Sequence, residues 1–426
     1  MKNMKKKSKL AFRNLVLTAV LFALIVSPVL AKEPFTSSAG SNELIYESYT
    51  YWEELGAGQK SMSYTKPTYS VKQVISPESL GQPIFDELND ICTDENGNVY
   101  ILDGGASKII KTDAEYKYVK TFGDAKYTGE AMTIYSSDKT QKFDIKPGDM
   151  LHYEDATGIF VKNGLIYIAD TENWRVIVMN DAGEAVSLLT IPVSKLIPDD
   201  FKYKPLKVAV DSKDYTYVIC DGSYYGAVVY SPQMEFLGFY GANTVSASVL
   251  DVLQNLFTRL FSNDEKRSGG MIKLPYQFID MAVGSDDFIY TATGRASEGN
   301  IGMGQVSVLN PGGKNILGKD DFNFVDTAVG VFNRFGQTQS VVGIDVDEDG
   351  FFYIVDAGYG RVFWYDQECH LMSVFGGSFG VSIQDGTNRL AKAIALKGLE
   401  VLVCDSQKNT INVYELTDYG KYFADH

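Results

Sequence analysis

Two stretches set an acid and a base at the same interval. In "IADTENWRVIVMN" (168–180) Asp170 is followed five residues later by Arg175, and in "IVDAGYGRVFWYD" (354–366) Asp356 is followed by Arg361. Such a pair belongs either to an active site or to a repeated structural unit. A third stretch, "DVDEDG" (345–350), offers Asp345, Asp347, Asp349 and Gly350 in the alternation that begins a calcium loop, with Asp356 at its twelfth position. The next residues, "FFYIVD", read as a strand rather than a helix, and Asp with Gly is equally the chemistry of a tight turn, so the hairpin reading is preferred. Histidine is scarce. His152, His370 and His426 stand far apart in sequence, without metal-ligand spacing, and neither a G-x-S-x-G nor a P-loop motif is present. Zinc chemistry, a Ser-His-Asp arrangement and a bound cofactor are therefore not expected, and no residue is assigned a catalytic role.

The interval between Asp and Arg is explained by repetition. Six segments share one pattern, an apolar run, a Gly- or Asp-bearing turn, a second run ending near Asp, a corner and a third run: 89–113, 157–180, 206–230, 279–310, 342–366 and 391–415. The marker positions are Asp103, Asp170, Asp221, Thr293, Asp356 and Asp405, and the five aspartates are followed five residues later by Lys108, Arg175, Gly226, Arg361 and Thr410. A catalytic group would not need that many copies. A corner does need local polar bonds, which Asp accepts from turn N–H groups while an Arg or Lys stem covers the neighbouring strand. The pairs are read as exposed corner salt bridges, each contributing about 1 kcal/mol or less. A fourth run often follows, as in "YVKTFG", "FLGFYG" and "LMSVFG". Four short strands repeated six times predict an all-β, six-bladed β-propeller. The sixth unit lacks a fourth strand after Tyr414, whereas "YSVKQVIS" (69–76) is a spare alternating run ahead of the first, so the N-terminal strand is expected to close the last blade.

The stretches "IYIADTENWRVIVMN" and "FYIVDAGYGRVFWYD" resemble NHL repeats, whose second strand ends in Asp and whose third begins near Arg. The segments 205–230, 237–261 and "YESYTYW" (46–52) are similar to exported NHL-repeat proteins of Gram-positive bacteria, and the resemblance spans nearly all of the mature chain. It implies a six-bladed propeller and an envelope location, with no activity to carry over. Members of that group tend to continue into a helical, tetratricopeptide-like extension; here the sequence stops at "TDYGKYFADH".

Two regions of such a propeller could bind. The inner-strand positions facing the central channel are Asp90, Gly158, Lys207, Asp280, Gly343 and Lys392. Propellers of the gluconolactonase type hold a divalent metal there with Glu, Asn and Asp, which makes a metal-dependent lactonase or related hydrolase the catalytic alternative. Two acids and two lysines suit mutual pairing, or a polar ligand at the channel mouth, better than a metal cage. The second region is the face that carries both the blade corners and the inter-blade linkers. It gathers the corner aromatics Trp174, Tyr224, Tyr225 and Tyr359 with long insertions at 124–156, 242–277 and 318–340. Aromatic loops on a rigid scaffold suit protein or carbohydrate partners; the alternative is that the rings only pack the insertions down. Between the third and fourth blades, Val249, Leu250, Leu253, Leu256, Phe257, Leu260 and Phe261 recur at helical spacing, predicting an amphipathic helix that packs on the propeller.

The ends and the composition set the context. Six basic residues, Lys2 to Arg13, then an apolar Leu15 to Val26 and "VLA" before "KEP" read as an export signal cleaved after Ala31. Its removal takes the formal charge from −15 to −21, which repels nucleic acid and anionic lipid. Expected divisions are a signal at 1–31, an extension at 32–68, the propeller at 69–421 and a tail at 422–426. No transmembrane segment is expected after processing. The protein is expected to be secreted or held at the cell surface as a monomer, with a partner at the envelope. Cys92, Cys220 and Cys404 lie in apolar runs and read as buried thiols, without a disulfide.

Overall fold

The repeated unit folds as a sheet of consecutive antiparallel strands. In the computed structural model of the protein the described residues are 49–54, 60–199, 201–223, 225–241, 277–293, 306–317, 340–377 and 385–424. Blade 1 comprises Leu88–Thr93, Val99–Asp103, Lys108–Thr112 and Tyr118–Phe122, paired in that order. Blade 2 repeats the order with Gly158–Lys162, Leu165–Asp170, Arg175–Asn180 and Glu184–Thr190, and blade 3 with Pro205–Val210, Thr216–Cys220, Ala227–Tyr230 and Phe236–Tyr240. Among the described residues blade 4 has Phe278–Val283, Ile289–Thr293 and Val306–Leu309. Blade 5 comprises Val341–Val346, Phe352–Asp356, Arg361–Tyr365 and Leu371–Gly376. Successive inner strands touch in turn, and that of blade 6, Ala391–Lys397, touches that of blade 1, so the six blades form a ring.

Short polar side chains set the hairpins. After the inner strand, Asp94, Asp211 and Asp347 each accept the backbone N–H groups two and four residues on. Before the outer strand, Asp113, Asn180, Ser231, Asn310 and Asp366 do the same. Each side chain mimics a ladder partner and so fixes loop length, which in turn fixes the register of the strands it joins. The core lies between blades. One apolar cluster joins Tyr100, Leu102 and Ile109 of blade 1 to Ile159, Ile166 and Ile168 of blade 2, and others join blade 2 to 3, 3 to 4, 4 to 5 and 6 to 1. Strands such as Val99–Asp103 and Phe352–Asp356 are buried at every position, because each sheet is covered on both faces.

Tyr69–Ile75 supplies the outer strand of blade 6, beyond Glu400–Asp405 and Thr410–Leu416, in the register Ile75 to Ile411 through Tyr69 to Leu416. Tyr69 is fully buried; its ring stacks on Phe375 of blade 5 at 4.4 Å and its hydroxyl lies 2.9 Å from that of Tyr353. The closing strand thus completes blade 6 and packs against blade 5. Ahead of it a hairpin, Thr50–Glu54 with Lys60–Tyr64, is tied to blade 5 where Arg361 Nη1 donates to the Thr50 carbonyl at 2.6 Å. A short helix, Asp418–Ala424, follows the last strand and contains the expected boundary at 421; its Phe423 meets Trp364 edge to face.

The first insertion adds structure to blade 2. Ala125–Tyr127 runs parallel to Glu184 and Ala185 on the outer edge and carries Met150–Leu151 on its other side, while Met132–Tyr135 and Lys142–Ile145 form a separate hairpin. The stretch expected to be an export signal (1–31), the segment expected to form an amphipathic helix (249–261) and Tyr224 lie outside the described residues. All four cysteines are free thiols.

Candidate functional site

The corner aspartates anchor the segment that leads into their own blade. Asp170 accepts from the Glu154 N–H at 3.0 Å, from Asn173 Nδ2 at 2.9 Å and from Arg175 Nε at 2.8 Å, and Arg175 Nη2 reaches the His152 carbonyl at 2.9 Å. Asp103 accepts from Asp86 and Glu87 N–H and lies 3.3 Å from Lys108. Asp356 accepts from Ser340 and Gly358 N–H with Arg361 at 3.8 Å, and Asp405 accepts from Leu390, Gln407 and Lys408 N–H. One expectation is corrected. Asp170 and Asp356 are fully buried and Arg175 and Arg361 nearly so, where exposed pairs were expected. Burial raises the Asp170 carboxyl, opposed chiefly by the Arg175 charge. Asp221 is exposed and, with Gly226 in the basic position, bonds to Gln277 instead.

The channel brings together three of the four charged residues expected there. Lys207 Nζ stands 2.5 Å from Asp90 and 3.7 Å from Asp280, with all three side chains almost out of solvent. The second oxygen of each aspartate accepts a backbone N–H from the next blade, Ile159 for Asp90 and Ile344 for Asp280. Asp345 joins them, bonding to Leu396 N–H of blade 6 at 2.8 Å. Three carboxylates therefore stitch blade 1 to 2, 4 to 5 and 5 to 6. Burial pushes the Asp280 carboxyl up to about 6 despite Lys207, and burial pushes Asp345 up to about 7. Burial disfavours the Lys207 ammonium, but the Asp280 and Asp90 carboxylates outweigh it and hold its pKa above the usual lysine value. Lys392 lies apart, 3.6 Å from Glu87. Gly158 marks close strand approach rather than an open cradle, since a Cβ there would sit 2.3 Å from the Leu206 carbonyl.

Neither metal reading finds a cage. In "DVDEDG" Asp347 caps a hairpin whose Gly350 has φ +84°, Asp345 turns to the Leu396 N–H, and Asp349 lies in the exposed turn. The calcium candidate is thus a hairpin matching those at Asp94 and Asp211. In the channel a lysine ammonium occupies the position between Asp90 and Asp280 that a divalent ion would need, and among the described residues no three His, Cys, Asp or Glu side chains converge as ligands.

The described corner aromatics, Trp174, Tyr225 and Tyr359, stand on three separate blades. Trp174 is half-buried, with its ring centroid 6.2 Å from that of Phe143 on the insertion hairpin. Tyr225 packs against Phe201 and Phe239, and the Arg361 guanidinium lies 4.5 Å over Tyr359. Two features had not been anticipated. His152 Nδ1 lies 2.7 Å from Asp124, both largely exposed, and Phe143 stands beside Trp174. Neither has a sequence signal, because an irregular insertion brings them there. A groove of about 500 Å³ also opens between the outer strands of blades 2 and 3, bordered by Tyr135, Ile191, Val193, Met234 and Phe236.

No helix among the described residues is long and apolar enough to cross a membrane. No protein-family model and no curated protein matches the chain. Solved structures do resemble it. Selenomethionine-substituted virginiamycin B lyase from Staphylococcus aureus is 10% identical, covering 82% of this chain and 100% of its own, with a TM-score of 0.45. A streptogramin B lyase is 12% identical over 82% of this chain and 98% of its own, with a TM-score of 0.44. A protein of unknown function from Bacteroides thetaiotaomicron is 14% identical over 84% of this chain and 80% of its own, with a TM-score of 0.46. The six-bladed ring itself is read from the strand order and the inner-strand contacts of this chain.

Proposed function

We propose that the protein is an exported, non-catalytic scaffold of the NHL-repeat kind that binds a protein or carbohydrate at the cell envelope through its insertion-bearing face. The observation that carries this reading is the contrast between the two regions able to bind. The channel is filled by its own ion cluster, Lys207 with Asp90 and Asp280, whereas the insertion holds an aromatic ring of its own beside the corner of blade 2. Export rests on the basic and apolar start of the chain, and the NHL affinity on the recurring Asp-to-Arg corners. The mature chain works as a monomer in this reading.

Capture from an envelope extract tests it, with the mature protein as bait beside a Phe143→Ala variant. A specific partner should be retained by the parent and lost by the variant. Equal retention by both would move the binding surface elsewhere. The lactonase alternative requires one divalent ion per chain and chelator-sensitive hydrolysis. Metal analysis after dialysis should find no stoichiometric ion; one ion per chain lost on Asp90→Asn would reverse the ranking.

A further inference from the structure

The corner of blade 2 departs from its siblings at one backbone position. Four residues after the marker aspartate the chain adopts a left-handed conformation: Ser107 (φ +49°), Trp174 (+54°), Gly360 (+66°) and Asn409 (+54°). Gly, Asn and small polar residues tolerate that conformation, whereas a bulky aromatic side chain is strained in it. Blade 2 thus carries a large ring in a left-handed conformation that Ser, Gly and Asn adopt in blades 1, 5 and 6, while Tyr225 at the matching position of blade 3 does not adopt it. Strain kept against an easier alternative is a mark of function when a second observation accompanies it.

Phe143 is that second observation. The hairpin at 132–145 sets its ring 6.2 Å from Trp174 at a 34° tilt, and Phe143 remains 40% exposed. The two rings are therefore neighbours tilted by 34°, one half-buried at the corner and one exposed on the insertion. Polar groups border them. Arg175 and Asn173, on either side of Trp174, both donate to the His152 carbonyl, which holds the His152–Asp124 pair beside the corner. His152 is 62% exposed, and its Nε2 has no protein partner among the described residues.

Two of the ion pairs here cancel within the site, Asp170 with Arg175 and Glu172 with Lys204 at 2.9 Å. Exposed Glu154 and Asp155 add only acid. Such a border offers many hydrogen bonds but repels anions. A protein hot spot would want a wider, water-excluding apolar surround. Building on the scaffold reading above, we infer that Trp174 and Phe143, with the His152–Asp124 pair, form a carbohydrate subsite that stacks an uncharged or basic sugar ring and rejects anionic polymers.

The test is calorimetric titration of the mature protein with cellohexaose, chitohexaose, the deacetylated chitosan hexamer and the anionic hexagalacturonate. One or more of the first three should bind and the last should not. Trp174→Gly should weaken binding tenfold or more without lowering the melting temperature, since Gly suits the left-handed position. Phe143→Ala, on the exposed insertion, should weaken it at least threefold, and Tyr118→Ala, an exposed ring on blade 1, should leave it unchanged. The assignment is overturned if none of the three binds at millimolar concentration, or if Trp174→Gly and Phe143→Ala bind as the parent does. Loss of a captured protein partner in Trp174→Gly, with no sugar bound, would overturn the carbohydrate assignment and leave the scaffold standing. Capture indifferent to every change on this face, with no sugar bound, would remove both.

Discussion

At the level of single residues, burial decides what the corner pairs are for. An exposed ion pair contributes little, because water competes for both charges and two long side chains must be ordered. Asp170 and Arg175 are out of solvent, and the carboxylate also holds the Glu154 N–H and Asn173. Removing the guanidinium would strand a buried charge together with its hydrogen bonds. Arg175→Ala is therefore expected to cost about 3–5 kcal/mol of stability, the range for breaking a buried pair. Arg361→Ala should cost at least as much, because Arg361 also holds the Thr50 carbonyl of the N-terminal hairpin. Denaturant melts of the two variants decide the point. A loss below about 1 kcal/mol in both would mean that water reaches these corners. Asp221→Ala, at an exposed corner without a basic partner, should change stability by about 0.5 kcal/mol or less.

At the level of elements, the closing strand and the insertion act in opposite ways. Tyr69–Ile75 is structural: it covers the edge of Thr410–Leu416 and buries Tyr69 against Phe375 and Trp364. Tyr69→Ala should cost about 3–5 kcal/mol, as for other large buried aromatics. Deleting residues 32–76 should abolish a single cooperative transition, since blade 6 would then expose a bare edge. An unchanged melt of the truncated monomer would show that the strand is dispensable. The insertion hairpin, by contrast, completes no blade, and although Ile134 packs into the core between blades 1 and 2, its Phe143 faces outward and can change without disturbing closure. The closing strand was legible in the sequence because alternation and a missing partner in the sixth unit both pointed to it. The juxtaposition of Phe143 with Trp174 was not. Nothing in the spacing of 124–156 tells which way a short irregular hairpin will fold back.

At the level of the whole molecule, the ring concentrates buried acid around its axis, and this sets a dependence on pH. Burial pushes the Asp280 carboxyl up to about 6 and Asp345 up to about 7, and at the hairpin beyond them burial raises half-buried Asp347 to about 6. These values exceed those of an unfolded chain, so the folded state binds protons more readily, and the resulting stability is complete below about pH 3.9 and lost as pH rises through 6 to 7. Asp181, Asp287 and Glu400 are shifted the other way by their lysine, serine and tyrosine partners and lose their contribution only in stronger acid. The melting temperature should therefore rise as pH falls from 8 to 5. Asp345→Asn should flatten that rise, by an amount on the order of 2–4 kcal/mol between the extremes. A parent protein that loses stability steadily from pH 8 to 5 would refute the assignment. Which acids face the axis could be read only in part. Asp90 and Asp280 stood out by their place in the repeat, but Asp345 shares its stretch with a turn motif, and its partner Leu396 lies on another blade. Periodicity tells which residues share a face of a strand; it does not reveal which inner strand comes near enough to be bonded.

The meeting of Pro67 and Thr417, 350 residues apart, also has a meaning in time. Contacts between distant parts of a chain form late, because the entropy of closing so long a loop must be met before pairing returns anything. Five blades can assemble from neighbouring residues as they emerge, but the sixth waits for both ends of the propeller to be present at once. Until then two sheet edges stay open, and refolding from denaturant should show a slow final phase that Tyr69→Ala slows further. A newly made chain is consequently most exposed to proteases and to sticky neighbours in the interval just before its last strand arrives.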